Sequence, residues 1–396
     1  MVRDADPIHA VEAELAFTRV EDVVVDATGR GQRRARTLDA EESRDPGAYD
    51  RRVCRAWDCS ALDGFEPDLR EHGFARADLS RQRGLQAALE RVRVAGRLGD
   101  ADAAEIRRRL LGRSLALSGG ARLRVLYIAG DGFFMRRAGP DGLRLGDDGE
   151  RHGRNGHDAA VTVHADQDVD GTPLRQLLRG LAPWLFHHDS PDRSNRRSRV
   201  FLVNLWIPLD QVTRPLALMD RRTLDRRAHQ LRYGLPTDSF LRRRPDMRVN
   251  DLWTFLHDEA QRWYFSSEID AGTAYVFETL STPHGAFILP GEARAAARYR
   301  QLTAAIGAVL RGDDAAAARA LAADDGGDAE REPATASLRR AIAAMDVAIA
   351  EGRARLPALC RGEDPTAWRA RATAAADRLV RKSLEMRAIA LLTPGG

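Results

Sequence analysis

In VTVHADQD (161–168), Val161, Val163 and Ala165 alternate with Thr162, His164 and Asp166. That two-residue period is the mark of a strand with one apolar and one polar face. Extended candidates continue to about residue 290 as SRVFLVNLWIPL (198–209), TAYVFETL (273–280) and PHGAFIL (283–289), with Gly, Pro and Asp between them. LRQLLRGLAPWLF (174–186) has the spacing of an intervening helix. Several strands without a regular strand–helix alternation predict an antiparallel barrel or jelly roll rather than a doubly wound sheet.

The flanks have a different character. LAFTRVEDVVVDA (15–27) reads as a strand and residues 29–52 as a polar, turn-rich loop. Residues 79–98 and 101–112 carry apolar positions at helical spacing, and ARLRVLYIAGDGFFMRR (121–137) opens as a strand and runs into a Gly-containing turn. From residue 292 the chain is rich in Ala and Arg with helical propensity, interrupted by GGDAEREPATA (326–336), which has linker composition. Asp364-Pro365 suits a helix start. RKSLEMRAIALL (381–392) returns to strand alternation. The expected organisation is a mixed α/β extension (1–110), a β core (111–294 and 376–396), and a helical insert (295–375) serving as a lid or an oligomerisation element. An amphipathic Ala-rich insert is compatible with a homodimer.

Composition narrows the function classes. With 43% hydrophobic residues and six tryptophans, the 396-residue chain has enough apolar material for a packed interior. No run approaches the roughly 18 uncharged apolar residues a membrane span requires. MVRDADPIHAVEAE lacks a signal-peptide core, so a cytoplasmic location without membrane partners is expected. Cys54, Cys59 and Cys360 have no zinc spacing and read as reduced thiols. Lys382 is the single lysine among 62 basic residues, a bias that runs through every segment. The 58 acids are interspersed with the bases and the net charge is only +4, which argues against a nucleic-acid partner. Clusters such as RSNRRSR (193–199) and RRR (242–244) read as solvated loops.

His164 and Asp166 share a strand face and supply two ligands of a 2-His-1-carboxylate triad, the donor set of non-heme Fe(II) oxygenases. His284, flanked by Pro283 and Gly285 on a short strand, is the best third ligand. Lying 120 residues downstream, it suits two strands that meet across a β-sandwich and not a local zinc knuckle. A second His-x-Asp, His187-His188-Asp189, reads as a capped turn. Asn204 and Trp206 share a strand face with Leu202; core packing is the default for Trp206, while Asn204 is expected to contact co-substrate or substrate. Arg214, Trp263, Tyr264 and Tyr275 are pocket candidates, and His152, His157, His229 and His257 have no assigned role.

Five stretches then carry a resemblance: LDGFEPDLREHGF (62–74) as an entry strand, RLRVLYIAGDGFFMRR (122–137), VHADQDVDG (163–171), VFLVNLWIPLDQVTRPLALMD (200–220), and PHGAF with RKSLEMR (381–387). In this order they resemble the hydroxylase/desaturase family of non-heme iron oxygenases, which includes the cephamycin methoxylation component and fungal meroterpenoid oxygenases. The resemblance covers about residues 60–290 and the last strand. It implies a mainly β chain with flanking helices and a double-stranded β-helix (jelly-roll, cupin-like) core. It also implies Fe(II), 2-oxoglutarate as co-substrate, dioxygen, and oxidation of a small-molecule intermediate of specialised metabolism. Asp166 in place of a chloride site favours hydroxylation or desaturation over halogenation. The family's arginine after "N-x-W" is Ile207 here, so a contact to substrate or co-substrate is expected to differ.

By carry-over of the family's R-x-S, Arg381 and Ser383 are expected to hold the distal carboxylate of 2-oxoglutarate, since a guanidinium pairs bidentately with a carboxylate. Alternation puts Arg381, Ser383, Glu385 and Arg387 on one face. Arg294, ten residues after His284, is the rival anchor because many oxygenases place this arginine there, although it falls in the first turn of a helix. Rival functions are an iron dioxygenase of the cupin type that does not use 2-oxoglutarate, a non-enzymatic jelly-roll binding module, and, least favoured, a nucleic-acid binder.

Overall fold

The structure, a computed structural model, describes residues 10–25, 33–39, 42–139, 154–155, 162–171, 178–236, 249–323, 332–359 and 365–395. In chain order its strands and longer helices are β1 (Ala10–Phe17), β2 (Val23–Val25), β3 (Arg33–Ala35), β4 (Asp50–Asp58), β5 (Phe74–Asp78), α1 (Arg83–Ala95), α2 (Asp100–Leu110), β6 (Ser114–Ala116), β7 (Arg122–Ala138) and β8 (His164–Ala165). There follow β9 (Val200–Pro208), β10 (Leu216–Met219), β11 (Gln230–Pro236), β12 (Val249–Phe255), β13 (Trp263–Phe265), β14 (Thr273–Glu278) and β15 (His284–Ala286). The chain ends with α3 (Glu292–Leu310), α4 (Asp314–Ala322), α5 (Ala336–Leu359), α6 (Thr366–Asp377) and β16 (Arg381–Thr393).

Two sheets hold these strands, one ordered β1-β4-β13-β10-β15-β8-β12-β11-β3-β2 and the other β5-β14-β9-β16-β7-β6. Within them β7-β16-β9-β14 faces β8-β15-β10-β13, and from β7 onward these eight strands alternate between the sheets at every step except β10 to β13. That is the winding of a double-stranded β-helix. The β11–β12 hairpin fills the exceptional step. β1 and β4 widen one sheet, and β5 and β6 widen the other.

Each sheet buries its outer face under helices. On one side Leu205, Ile207, Leu384 and Met386 pack with Leu85, Leu89, Val92 and Ile106 of α1 and α2. On the other, Trp253, Trp263, Phe265 and Phe287 pack with Ala295, Leu302, Met345 and Trp368 of the C-terminal helices. Strand alternation therefore sends Asn204, Trp206, Arg381, Ser383, Glu385 and Arg387 into the space between the sheets. Ile207 points to the helical side, so the departure from the family's arginine falls on the outer face and not in the interior. No described helix is long and apolar enough to cross a membrane.

Several local expectations need correction. LAFTRVEDVVVDA is not one strand: β1 ends at Phe17, and a 3-10 turn over Val20–Asp22 separates it from β2. The 29–52 segment contains β3, two 3-10 turns and the start of β4. The described part of the expected 174–186 helix reduces to one turn, Ala182–Leu185, because Arg179 (φ 49°) and Gly180 (φ 85°) are left-handed. Leu62–Gly73 forms turns, and β5 starts only at Phe74. The Gly-containing stretch 129–132 does not turn the chain. It bulges within β7, where Met386 pairs with Phe133 and Ala388 with Ile128, leaving Arg387 opposite the four residues 129–132. Cys54 and Cys59 are buried and free. Cys360, most of the 326–336 linker, Asp364, RRR (242–244), His152 and His157 lie outside the described residues.

Gly352 shows how tightly the helical layer packs. A Cβ there would come within 2.9 Å of Trp368 Cζ2 and 3.0 Å of its Cε2. Trp368 is fully buried, and its Nε1 donates to the Ala348 carbonyl at 3.0 Å, so the ring has little freedom to yield. Helix propensity alone favours alanine over glycine by about 1 kcal/mol. Overpacking costs about 1–3 kcal/mol and should win. Gly352→Ala is therefore expected to lower stability in urea unfolding despite the better helix former.

Candidate metal centre

The site forms where two short strands meet. His164 on β8 and His284 on β15 are direct cross-strand partners, with ring centroids 4.3 Å apart. Asp166 follows β8 on the same face. Among the described residues, His164, Asp166 and His284 are the group of His, Cys, Asp or Glu side chains whose ligand atoms converge, all within 4.8 Å of one another. His164 Nε2 lies 3.7 Å from Asp166 Oδ1, and His284 Nε2 lies 3.9 Å from Oδ2. Gly285 is not forced by crowding, since a Cβ there would meet its nearest neighbours at an ordinary 3.6 Å.

Backbone carbonyls set the tautomers. His164 Nδ1 donates to Thr162 O at 2.8 Å and His284 Nδ1 to Thr282 O at 3.1 Å. A carbonyl only accepts, so each Nδ1 carries a proton, and in the neutral ring each Nε2 keeps a lone pair directed at the cluster. Burial and the neighbouring His164 ring push His284 down to about 4, so it is neutral near pH 7. Burial alone would raise Asp166, but the Arg387 guanidinium and the imidazoles more than offset this and hold it well below the usual carboxylate range. Two neutral imidazoles and one ionised carboxylate are the donor chemistry that ferrous iron takes.

Both Asp166 oxygens are also held by neighbours. Arg387 Nη2 donates to Oδ1 at 2.9 Å, and Asn204 Nδ2 donates to Oδ2 at 2.8 Å. Asn204 thus orients a candidate ligand, where a contact to co-substrate or substrate was expected. Arg387, placed on this face by alternation but given no role, proves to be part of the centre. Nothing in the spacing of RKSLEMR shows which carboxylate it meets.

Further along the same face Arg381 is buried, 2% exposed. Its guanidinium lies over Trp206 at 5.6 Å and Nη1 donates to Arg214 O at 2.7 Å, while Nε has no partner among the described residues. Among the described residues no carboxylate comes within ion-pair distance of it. Ser383 Oγ is likewise buried and has no partner among the described residues. Burial brings Arg381 down to about 10, well short of neutralising it near pH 7. A buried cation and a hydroxyl with unmet hydrogen-bonding capacity fit an anionic group. Arg294 is not brought to these residues: it lies on α3, is 44% exposed and faces Asp346 of α5 at 3.7 Å. Of the pocket candidates, Arg214 is buried beside Arg381, Tyr264 and Tyr275 lie between the sheets, and Trp263 is on the outer face.

His187-His188-Asp189, expected as a capped turn, is instead buried, and the chain bends only after it at 191–192. His187 is fully buried, its Nδ1 3.1 Å from Glu278 Oε1, and Arg221 donates to the other Glu278 oxygen at 2.6 Å. Arg226 pairs with Asp189 at 3.0 Å and donates to Ser281 O at 3.1 Å. These contacts brace the turn that delivers His284. A cavity of about 720 Å³ lies between 187–196 and 221–227, lined by arginines such as Arg193, Arg196, Arg221 and Arg222. Each of the four is matched by a carboxylate, Asp170, Asp189, Glu278 and Asp220 respectively. The sequence signal for this network was an acid, Glu278, ending an otherwise apolar strand. Burial alone would raise Glu278, but His187 and Arg221 hold it at about 2, down from 4.5. Its charge therefore stabilises the fold above the unfolded value, and that stability is lost as pH falls through the folded value. Glu278→Gln is expected to cost about 3–5 kcal/mol near pH 7. In unfolding measured across pH, the gap to the parent should narrow below about 4.5 and close near 2.

Residues 135–301, less than half of the chain, match a family described as an oxidoreductase/YMDC permease-like domain. No curated protein matches. Among solved structures, the chain is similar to an iron and alpha-ketoglutarate-dependent endoperoxidase, NvfI, at 16% identity and a TM-score of 0.44, over 97% of this chain and 98% of that one. A different conformation of the same protein gives 15% identity and a TM-score of 0.46, over 98% and 99%. With TM-scores this low, the fold assignment rests on strand order and not on these likenesses.

Proposed function

We propose that this chain is an Fe(II)- and 2-oxoglutarate-dependent oxygenase that hydroxylates or desaturates a small organic molecule. The observation that carries the reading is the convergence of two imidazole lone pairs and one ionised carboxylate between two sheets, with an uncompensated buried arginine further along the same interior. His164 and His284 would present Nε2, and Asp166 one oxygen, a donor set that would leave a ferrous ion accessible to co-substrate and dioxygen. When bound, ferrous iron with 2-oxoglutarate and dioxygen supplies an oxidant that takes hydrogen from an unactivated C–H bond.

The chain's own residues bind, orient and exclude. Arg381 would pair with the distal carboxylate of 2-oxoglutarate, with Ser383 Oγ donating to it, which satisfies the atoms left unpartnered. The Trp206 ring lies beside the Arg381 guanidinium in a cation–π contact that helps to hold it. Asn204 holds Asp166 in the orientation that faces the two imidazoles. The two helical layers keep water away from both sheets and so from the charged interior. The motif resemblance supports a small-molecule intermediate of specialised metabolism as the substrate.

Anaerobic addition of Fe(II) and 2-oxoglutarate should produce a visible charge-transfer band, and turnover with dioxygen should release succinate. Asp166→Ala and His284→Ala should take up no iron at stoichiometric concentration. Arg381→Gln should keep the metal and lose co-substrate affinity by roughly thirtyfold or more, as for a charge pair that is fully buried. Iron uptake with no succinate would favour the cupin-type dioxygenase; no iron uptake at all would favour the binding module.

A further inference from the structure

The contact between Arg387 and Asp166 is one that metal binding alone does not call for. A permanent cation at 2.9 Å on one of its oxygens helps to keep the carboxylate ionised, but it also repels an incoming dication. Orientation is already available from Asn204, a neutral donor on the other oxygen. Yet the position of Arg387 is built into the sheet. It pairs with Asn204 across β16 and β9, and opposite it β7 bulges over residues 129–132. At Gly132 a side chain would put its Cβ 2.9 Å from the Arg387 Cβ, so the close approach of β7 to β16 at this position calls for glycine. Bulges are over-represented beside functional sites.

The charges of the interior say what such a cation does. Arg136 donates to Glu385, and Arg214 faces Glu292 at 3.5 Å. Asp166 is matched by Arg387, which leaves Arg381 without a carboxylate partner among the described residues. Before any ligand arrives, the centre is therefore already balanced and the co-substrate end is positive. A dication entering alone adds charge to an interior with no net negative charge, whereas a dianionic 2-oxo acid arriving with it restores balance.

We propose that Arg387, acting through Asp166, makes metal binding depend on the co-substrate: it weakens the site for a metal ion alone and strengthens it for the metal together with 2-oxoglutarate. The proposal rests on the oxygenase reading above. Linkage makes the effect reciprocal, so whatever 2-oxoglutarate adds to metal affinity the metal adds to 2-oxoglutarate affinity. A unit charge within a few ångströms of the metal, partly buried, is worth on the order of ten- to a hundredfold in affinity.

The test is anaerobic titration with Co(II), followed by visible absorption and calorimetry, with and without 2-oxoglutarate, on the parent, Arg387→Gln and Arg387→Lys. Arg387→Gln should bind Co(II) alone about tenfold or more tightly than the parent, while the tightening that 2-oxoglutarate confers falls by a similar factor. Arg387→Lys, which keeps the charge, should retain the parent's coupling. The two changes in Arg387→Gln have opposite signs, which loss of a merely structural brace cannot produce. If Arg387→Gln weakens or leaves unchanged the binding of Co(II) alone, the proposal is overturned while the oxygenase reading stands. If the parent binds neither Co(II) nor 2-oxoglutarate, the oxygenase reading itself fails and takes the proposal with it.

Discussion

A carboxylate that stays ionised between two packed sheets is the constraint on which the rest of this molecule depends. Asp166 loses nearly all of its water, and burial by itself would favour the neutral acid. Its charge persists because Arg387 and Asn204 reach its two oxygens from one adjacent strand pair. The two histidines face the same carboxylate with their lone pairs because carbonyls two residues upstream hold the opposite nitrogens. Without the carbonyl acceptors the tautomers would be unset, and without Arg387 the charge on Asp166 would rest on Asn204, the imidazoles and any cation bound there.

Holding such a group requires that the surrounding backbone not move, and the layers provide this. Both sheets are covered, one by α1 and α2 and the other by α3–α6, so the strands that carry the site are anchored from behind by apolar contacts. The turn that delivers His284 is braced separately by Glu278, His187, Arg221 and Arg226. This second charged network is as buried as the first, but its charges are paired with one another. The contrast with Arg381, a buried charge without a carboxylate partner among the described residues, is what separates a structural network from a place prepared for an anion.

Much of this is legible in the sequence, for a physical reason. A period of two places residues on faces, so alternation alone groups Arg381, Ser383, Glu385 and Arg387, and likewise Asn204 with Trp206. Fold class follows from strands without alternating helices. What periodicity does not contain is register across long separations. That Arg387 falls opposite Asn204, and both on Asp166, depends on pairings between segments 183 and 221 residues apart. The same limit hides Glu278, His187 and Arg221, three polar residues in apolar or loop contexts with no local sign of one another. Elsewhere local signals mislead: the Gly-rich stretch in β7 reads as a turn, yet both sides of it pair with β16, so the ladder continues and the glycines are absorbed as a bulge.

That bulge bears on how one strand serves two ends of the site. Arg381 and Arg387 lie on the same face of β16, six positions apart, which at about 3.3 Å per residue separates them by roughly 20 Å along the strand. An even separation is required, because an odd one would send one of the two arginines to the helical side. The pairing of β16 with β9 is unbroken from Ser383 to Leu391, whereas its pairing with β7 shifts at Arg387. The irregularity is therefore carried by the neighbour that supplies none of the groups on Asp166, and the ruler between the anion end and the metal end is left intact. Insertion in β7 can enlarge the space around Arg387 without altering that distance. An insertion in β16 between Ser383 and Arg387 would reverse the face of one end and dissolve the site.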